Sequence, residues 1–411
     1  LYEYEHPENM AEAASESAAP GGRALWDRGF RPFFLAAGIY AVVGVGTWMA
    51  IWLGALPAPT WLSPLWWHGH EMVFGFVAAA VAGFLLTAAP VWTGREAPQG
   101  RLLRALFALW LVGRVAFLAV GLVPAGLVAV IDAAFLPSLA IVLARMLRGT
   151  GQRRNYGIVA VISILSVANV AMHVSALGLV PPSAAGRALR VSVDIVVVLL
   201  LVVGGRITPA FTANALRRRG IAPRVRAYAW LDRLVVTAVL ALAAADLVAP
   251  RGTWSGVLGT VAGVAAGARL AGWQGWAVRD DPLLWSLHAG LGWVAAGLVL
   301  VGVSDLGGPV PGAAGLHALT AGAMGTTILA VMTRVGLGHT GRPLVLPKGA
   351  VTSYVLAHAA AFLRVTAAFA SGTAATWLLS TSSLAWAAAF GLFVLLYWPL
   401  LTHPRVDGLP G

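Results

Sequence analysis

Twelve stretches of about 20 apolar residues, separated by proline, glycine or basic clusters, dominate this 411-residue chain. They fall at 31–54, 66–91, 102–122, 125–146, 157–179, 189–209, 228–248, 253–272, 282–303, 313–336, 349–370 and 378–399. Such a stretch satisfies its own backbone hydrogen bonds as a helix and is long enough to cross the hydrocarbon core of a bilayer. The expectation is therefore an all-α polytopic membrane protein with about 12 transmembrane helices. Charged residues make up only 11% of the chain, against about 25% in soluble domains. Breaks between spans are marked by Pro57/Pro59/Pro64, Pro181-Pro182, Pro250, Gly307 to Pro311, Pro343 and Pro347. A single transmembrane domain over 31–400 is expected between a flexible N-terminal tail, 1–30, and a C-terminal tail, 401–411. The first residues carry Glu3, Glu5, Glu8, Glu12 and Glu16 and lack the basic start and apolar core of a signal peptide.

Charge sets the expected orientation. Of the 28 Lys and Arg residues, 23 fall in alternate connecting segments that include the N-terminal side. The opposite segments hold only Arg187, Arg190 and Arg251, while Arg114 and Arg364 lie within spans. This asymmetry places both termini in the cytoplasm. It also accounts for the net charge of +12, because the basic groups line one membrane surface; nucleic acid is not needed as a partner. Membrane lipid is.

The chain has no cysteine, which excludes disulfides, zinc–thiolate sites, iron–sulfur clusters and cysteine nucleophiles together. No P-loop, GxSxG, HExxH or dinucleotide fingerprint is present. Imidazole is then the main ligand left for a transition metal or haem. The segment WWHGHEM, Trp66 to Met72, puts His68, His70 and Glu71 at the mouth of the second span. Ionisable groups in a membrane are costly and mark function. At 1.5 Å per residue, His68, His70 and Glu71 lie within roughly 8 Å of the outer end of their span, His173 roughly 9 Å and His317 roughly 6 Å below the outer surface. Four histidines from three helices thus share an outer layer, with Arg114, Asp132, Asp194 and Arg364 at similar depth. Arg114 and Asp132, on consecutive spans, are matched for an ion pair. His288 and His339 form a smaller group towards the cytoplasm.

His68 and His70 stand roughly 200° apart around a regular helix, so they face opposite ways. Either the turn is irregular at Gly69, or the two serve different sites, one imidazole for a haem and the other for a nearby metal. Asn169 lies one turn before His173 and either orients that imidazole or bonds across helices. Glu71 is read as a proton carrier, a ligand-orienting carboxylate or, by default, half of an ion pair with Arg364. Gly204-Gly205-Arg206 with Pro209 suggests a broken or capped helix end, where Arg206 would pair with a haem propionate or other anion, or anchor the helix at the inner surface. His358 is assigned a structural role; His6 and His403 are assigned none.

Together these segments resemble the NnrS family of bacterial membrane proteins. The likeness is carried by RGFRPFFLAAG (Arg28 to Gly38), LWWHGHEMVFGFVAAAVAGFLLTAAPVWTGR (Leu65 to Arg95), GGRITPAFTANALRRRG (Gly204 to Gly220), WLDRL (Trp230 to Leu234), LLWSLHAGLGW (Leu283 to Trp293) and LHALTAGAMGTTILAVMTRVGLGHTGRP (Leu316 to Pro343). The resemblance implies a twelve-helix protein of the bacterial cytoplasmic (inner) membrane, containing haem b and copper and linked to denitrification and protection from nitric oxide. Its histidine motifs fall on His68, His70, His173, His288, His317 and His339, without dividing them between haem and copper. Locally, His68 to Met72 is also similar to the second helix of haem–copper oxidases and nitric oxide reductases, although the paired histidines of their later helices are absent here. The expected function is binding of nitric oxide and its reduction or detoxification near the outer membrane face, with an unidentified electron donor and with Glu71 and the Asp132/Asp194 layer as proton route. The alternatives are a non-catalytic nitric oxide sensor or scavenger and a secondary transporter.

Overall fold

The computed structural model describes residues 24–58, 62–118 and 122–409. The expected N-terminal tail as far as residue 23, with its glutamates and His6, lies outside the described residues, as do residues 119–121 at the end of the third expected span. The long helices are α1 Phe30–Trp52, α2 Pro64–Thr93, α3 Gly100–Leu118, α4 Ala125–Leu147, α5 Tyr156–Ala176 and α6 Ser183–Arg218. They continue with α7 Ala229–Val248, α8 Thr253–Ala271, α9 Pro282–Asp305, α10 Gly312–Gly338, α11 Ala350–Ala367 and α12 Gly372–Thr402. The described residues contain no strand. Nine of these helices are long and apolar enough to cross a membrane. The other three are α3, with Arg101, Arg104 and Arg114; α7, with Asp232, Arg233 and Asp246; and α8, rich in glycine and threonine.

Local chemistry sets where the helices begin. Ser63 caps α2 by accepting from the Trp66 N–H at 3.4 Å, with Pro64 in the first turn. Asp281 caps α9 in the same way, accepting from the Leu283 N–H at 3.0 Å ahead of Pro282. The expected break at Gly204-Gly205-Arg206 does not occur: α6 runs through it and through Pro209 for 36 residues. A proline ring crowds the residue four places earlier, and here that residue is Gly205. Both glycines serve as contact points instead, Gly204 against Leu291 of α9 and Gly205 against the Arg269 guanidinium of α8.

Neighbours in sequence pack as antiparallel pairs, and α6 runs through the middle, touching α2, α5, α7, α9 and α10. The ends of the chain meet where α1 packs against α12. Arg31, fully buried, donates to the carbonyls of Leu401 (3.0 Å) and His403 (2.6 Å). Beyond α12, the Arg405 guanidinium pairs with Asp407, holds its carboxyl down at about 2, and also donates to the His339 carbonyl at 3.2 Å. Small residues let α8 and α9 come together closely. A Cβ on Gly263 would lie 2.7 Å from the Val299 backbone nitrogen and 2.8 Å from the Ala295 carbonyl oxygen.

Gly263→Leu is expected to lower the stability of the detergent-solubilised protein by about 2–3 kcal/mol, as overpacked cores do. Val264→Leu, at an exposed position one residue on, is expected to leave it unchanged. Thermal unfolding of the two variants makes the comparison.

Candidate functional site

The first two turns of α2 and α10 carry the histidines, and both helices change character just beyond them. In α2 a π-helical segment, Glu71–Val77, begins directly after His70. In α10 another, Ala318–Gly325, begins directly after His317. A π segment widens the turn; the Trp110 indole N–H packs against this one, donating to Gly75 O at 3.0 Å. Such segments are frequent at functional sites.

The structure places His68 and His70 on opposite sides of α2, as helical phase requires. His70, 1% exposed, enters a polar cluster made by α1, α2, α3, α4 and α5. Its Nδ1 lies 2.8 Å from Glu71 Oε1 and its Nε2 lies 2.8 Å from Asn169 Oδ1 and 3.2 Å from Asp132 Oδ2. Asn169 Nδ2 donates to Asp132 Oδ2 at 2.9 Å, and His173 Nε2–H donates to the same oxygen at 2.8 Å. Arg114 pairs with both Glu71 and Asp132, and the Tyr40 hydroxyl donates to Glu71 Oε2. Phe117 stacks on His70 with ring centres 4.3 Å apart.

Two counts describe this cluster. One guanidinium faces two carboxylates, which leaves a negative charge buried and uncompensated. His70 stands between two acceptors, which calls for a proton on each ring nitrogen or a cation in place of one. Both counts ask for one further positive charge. His70, Asp132 and His173 offer ligand atoms within 4.8 Å of one another. Two imidazoles and a carboxylate suit a first-row transition ion, so the residues fit a metal such as copper.

His68 faces the other way, into a cavity of about 440 Å³ walled by α1, α2, α6, α10, α11 and α12. His317 reaches the same cavity from α10. Its Nδ1–H donates to Ala313 O at 2.8 Å, which fixes the neutral tautomer with its lone pair on Nε2. His68 stacks on Trp48 with ring centres 4.6 Å apart, and its Nδ1 is buried without a partner among the described residues. Arg190, Arg251 and Arg364 also line the space, and Arg364 has no ion pair among the described residues. Two imidazoles, an apolar hollow and several guanidiniums match a porphyrin with two carboxylates, so this site fits haem.

The expected outer layer therefore resolves into two sites. Arg114 and Asp132 do pair. Glu71 does not pair with Arg364: the carboxylate follows His70 into the α1–α5 cluster and meets Arg114, while Arg364 lies with His68 and His317. Asn169 bonds across helices to His70 and Asp132. Asp194 parts from Asp132, its electrostatic neighbours being Asp246, Arg190 and Asp305. His288 bonds to Thr212 Oγ1 at 2.9 Å beside Trp273, and His339 packs its ring on Phe30 at 5.7 Å. Arg206 reaches Asn155 Oδ1 at 3.4 Å, and His358 accepts from the Trp293 indole at 3.1 Å. Tyr40 escaped the sequence reading, since nothing in its segment separates it from the other aromatics of α1.

Arg114→Gln is expected to cost about 3–5 kcal/mol of stability, because it leaves two carboxylates buried without their cation. Adding Asp132→Asn to it should restore part of the loss, measured as thermal unfolding of the single and double variants.

No curated protein matches the chain. The family model described as NnrS protein matches residues 24–405, a span that takes in both histidine sites and all twelve long helices. By that match, this chain belongs to the NnrS protein family.

Proposed function

We propose that the chain is a twelve-crossing membrane protein that binds nitric oxide and reduces it, using haem b in the cavity of His68 and His317 and copper at His70, Asp132 and His173. The observation that supports this most is the division of labour on α2, where neighbouring imidazoles serve a porphyrin-sized cavity on one side and a charge-deficient metal-ligand cluster on the other. The basic segments set the topology, with both termini on the cytoplasmic side of the bacterial inner membrane and both sites near the outer face.

When bound, haem and copper supply redox-active centres with affinity for a small diatomic ligand. The chain's residues do the rest. Ala313 O holds the His317 ring with Nε2 presented to the cavity. Arg364 and Arg251, which line the cavity, would hold the porphyrin carboxylates by charge-assisted hydrogen bonds. Glu71, fixed by Tyr40 and Arg114, orients His70 and can hold a proton beside it. Nitric oxide is neutral and lipid-soluble, so an apolar approach admits it while excluding water. Two nitric oxide molecules, two electrons and two protons give nitrous oxide and water, the electrons coming from a separate donor. This reading gives His288, His339 and Arg206 no cofactor: Thr212, Phe30 and Asn155 are their partners.

Absorption spectra and metal analysis of the purified protein test the assignment. Wild type should show a Soret band and bound copper. His68→Ala and His317→Ala should lose the band and keep copper; His70→Ala and His173→Ala should do the reverse. Retention of both cofactors in all four variants would overturn the two sites. Consumption of nitric oxide by the reduced protein supports a reductase, and a spectral shift without consumption makes it a sensor or scavenger.

A further inference from the structure

At the same end of the bundle, α6, α7, α8 and α9 gather three carboxylates that the two cofactor sites leave unused. Arg190 Nη1 donates to Asp246 Oδ2 at 3.0 Å and to Asp305 Oδ2 at 3.2 Å. Ser255 Oγ, on α8, donates to Asp246 Oδ1 at 2.6 Å. Asp194 lies one turn after Arg190 on α6 and receives none of these bonds. Its Oδ2 is buried without a partner among the described residues, and the side chain is 4% exposed.

The groups around Asp194 are few. Asp246 on α7, Arg190 on α6 and Asp305 on α9 are its electrostatic neighbours, and Arg251 in the α7–α8 connection acts on Asp305. No group of α2, α5 or α10 among the described residues joins them. Three carboxylates against two guanidiniums leave one negative charge without compensation, in surroundings where an unpaired ion is costly. The cavity wall includes Arg190 and Val193 but not Asp194, so that cavity does not reach the unpartnered oxygen. A proton needs no room.

We propose that Asp194 is a proton-binding carboxyl group that balances this cluster, and that an anion entering the adjoining cavity strengthens its hold on the proton. Arg190 and Arg251 face both ways: Arg190 pairs with Asp246 and Asp305, Arg251 acts electrostatically on Asp305, and both line the cavity. A carboxylate held by Arg251 in the cavity draws on one of these guanidiniums and lies beside the other, so the cluster as a whole becomes more negative and binds protons more tightly. The linkage is reciprocal, and a protonated Asp194 favours the anion in turn. The proton site stands on the cluster alone; the coupling rests on the proposed haem cavity.

Infrared spectra of the full-length protein at neutral pH, in H₂O and D₂O, test the first part. Wild type should show the carbonyl stretch of a protonated carboxyl group that Asp194→Asn removes and Asp194→Glu shifts. Wild-type and Asp194→Asn spectra that superimpose in this region would overturn the proton site. Should the asparagine variant not fold, the shift or its absence in Asp194→Glu decides. The second part is read by adding haem b to haem-free protein in weak buffer with a pH indicator. At the pH where the Asp194 infrared band is half lost, wild type should take up more protons than Asp194→Asn, by a fraction of one per haem bound. Equal uptake overturns the coupling; no haem binding overturns the cavity reading and the coupling with it, while the infrared band still decides the proton site.

Discussion

Arg114 is the constraint around which one side of the bundle is arranged. A guanidinium buried in a packed helix is tolerated only where carboxylates reach it. Here Glu71 comes from α2 and Asp132 from α4, so a single side chain on α3 fixes the register of both flanking helices. The rest follows outward: Asp132 sets Asn169 and His173, Asn169 and Glu71 set His70, and Tyr40 closes the cluster from α1. With Arg114, seven polar residues on five helices are thereby locked, and the ligand atoms of His70, Asp132 and His173 converge as a by-product of neutralising one charge.

Much of this could be read from the sequence because a membrane converts position into depth. Apolar length located the helices, and the 1.5 Å rise along them put Arg114 level with Asp132. Helical phase separated His68 from His70 without any knowledge of their neighbours. What depth does not supply is azimuth. Glu71 and Arg364 lie at similar heights but on different sides of α2, and Asp132 and Asp194 share a layer while belonging to clusters on different helices. The continuity of α6 was hidden for another reason: glycine pairs before a proline signal a break locally, but close contact with Leu291 and Arg269 uses the same residues to opposite effect.

The two π segments were beyond sequence reading altogether. No residue type marks Glu71–Val77 or Ala318–Gly325 as wider than the helices around them. They depend on tertiary contacts, with Trp110 donating to the Gly75 carbonyl in one and Trp293 and Trp386 lying against Gly322 and Gly325 in the other. Their shared placement, one residue after a histidine, gives each site a wide turn beneath it.

The position of Gly69 gives α2 a mechanical property. His68 and His70 leave the helix on opposite sides, so a sideways shift of α2 carries one imidazole into its site as it withdraws the other. A Cβ on Gly69 would strike the Leu189 side chain, so α6 bears directly on the backbone between the two histidines and resists that shift. One helix segment, braced by α6, thus carries the placement of both imidazoles.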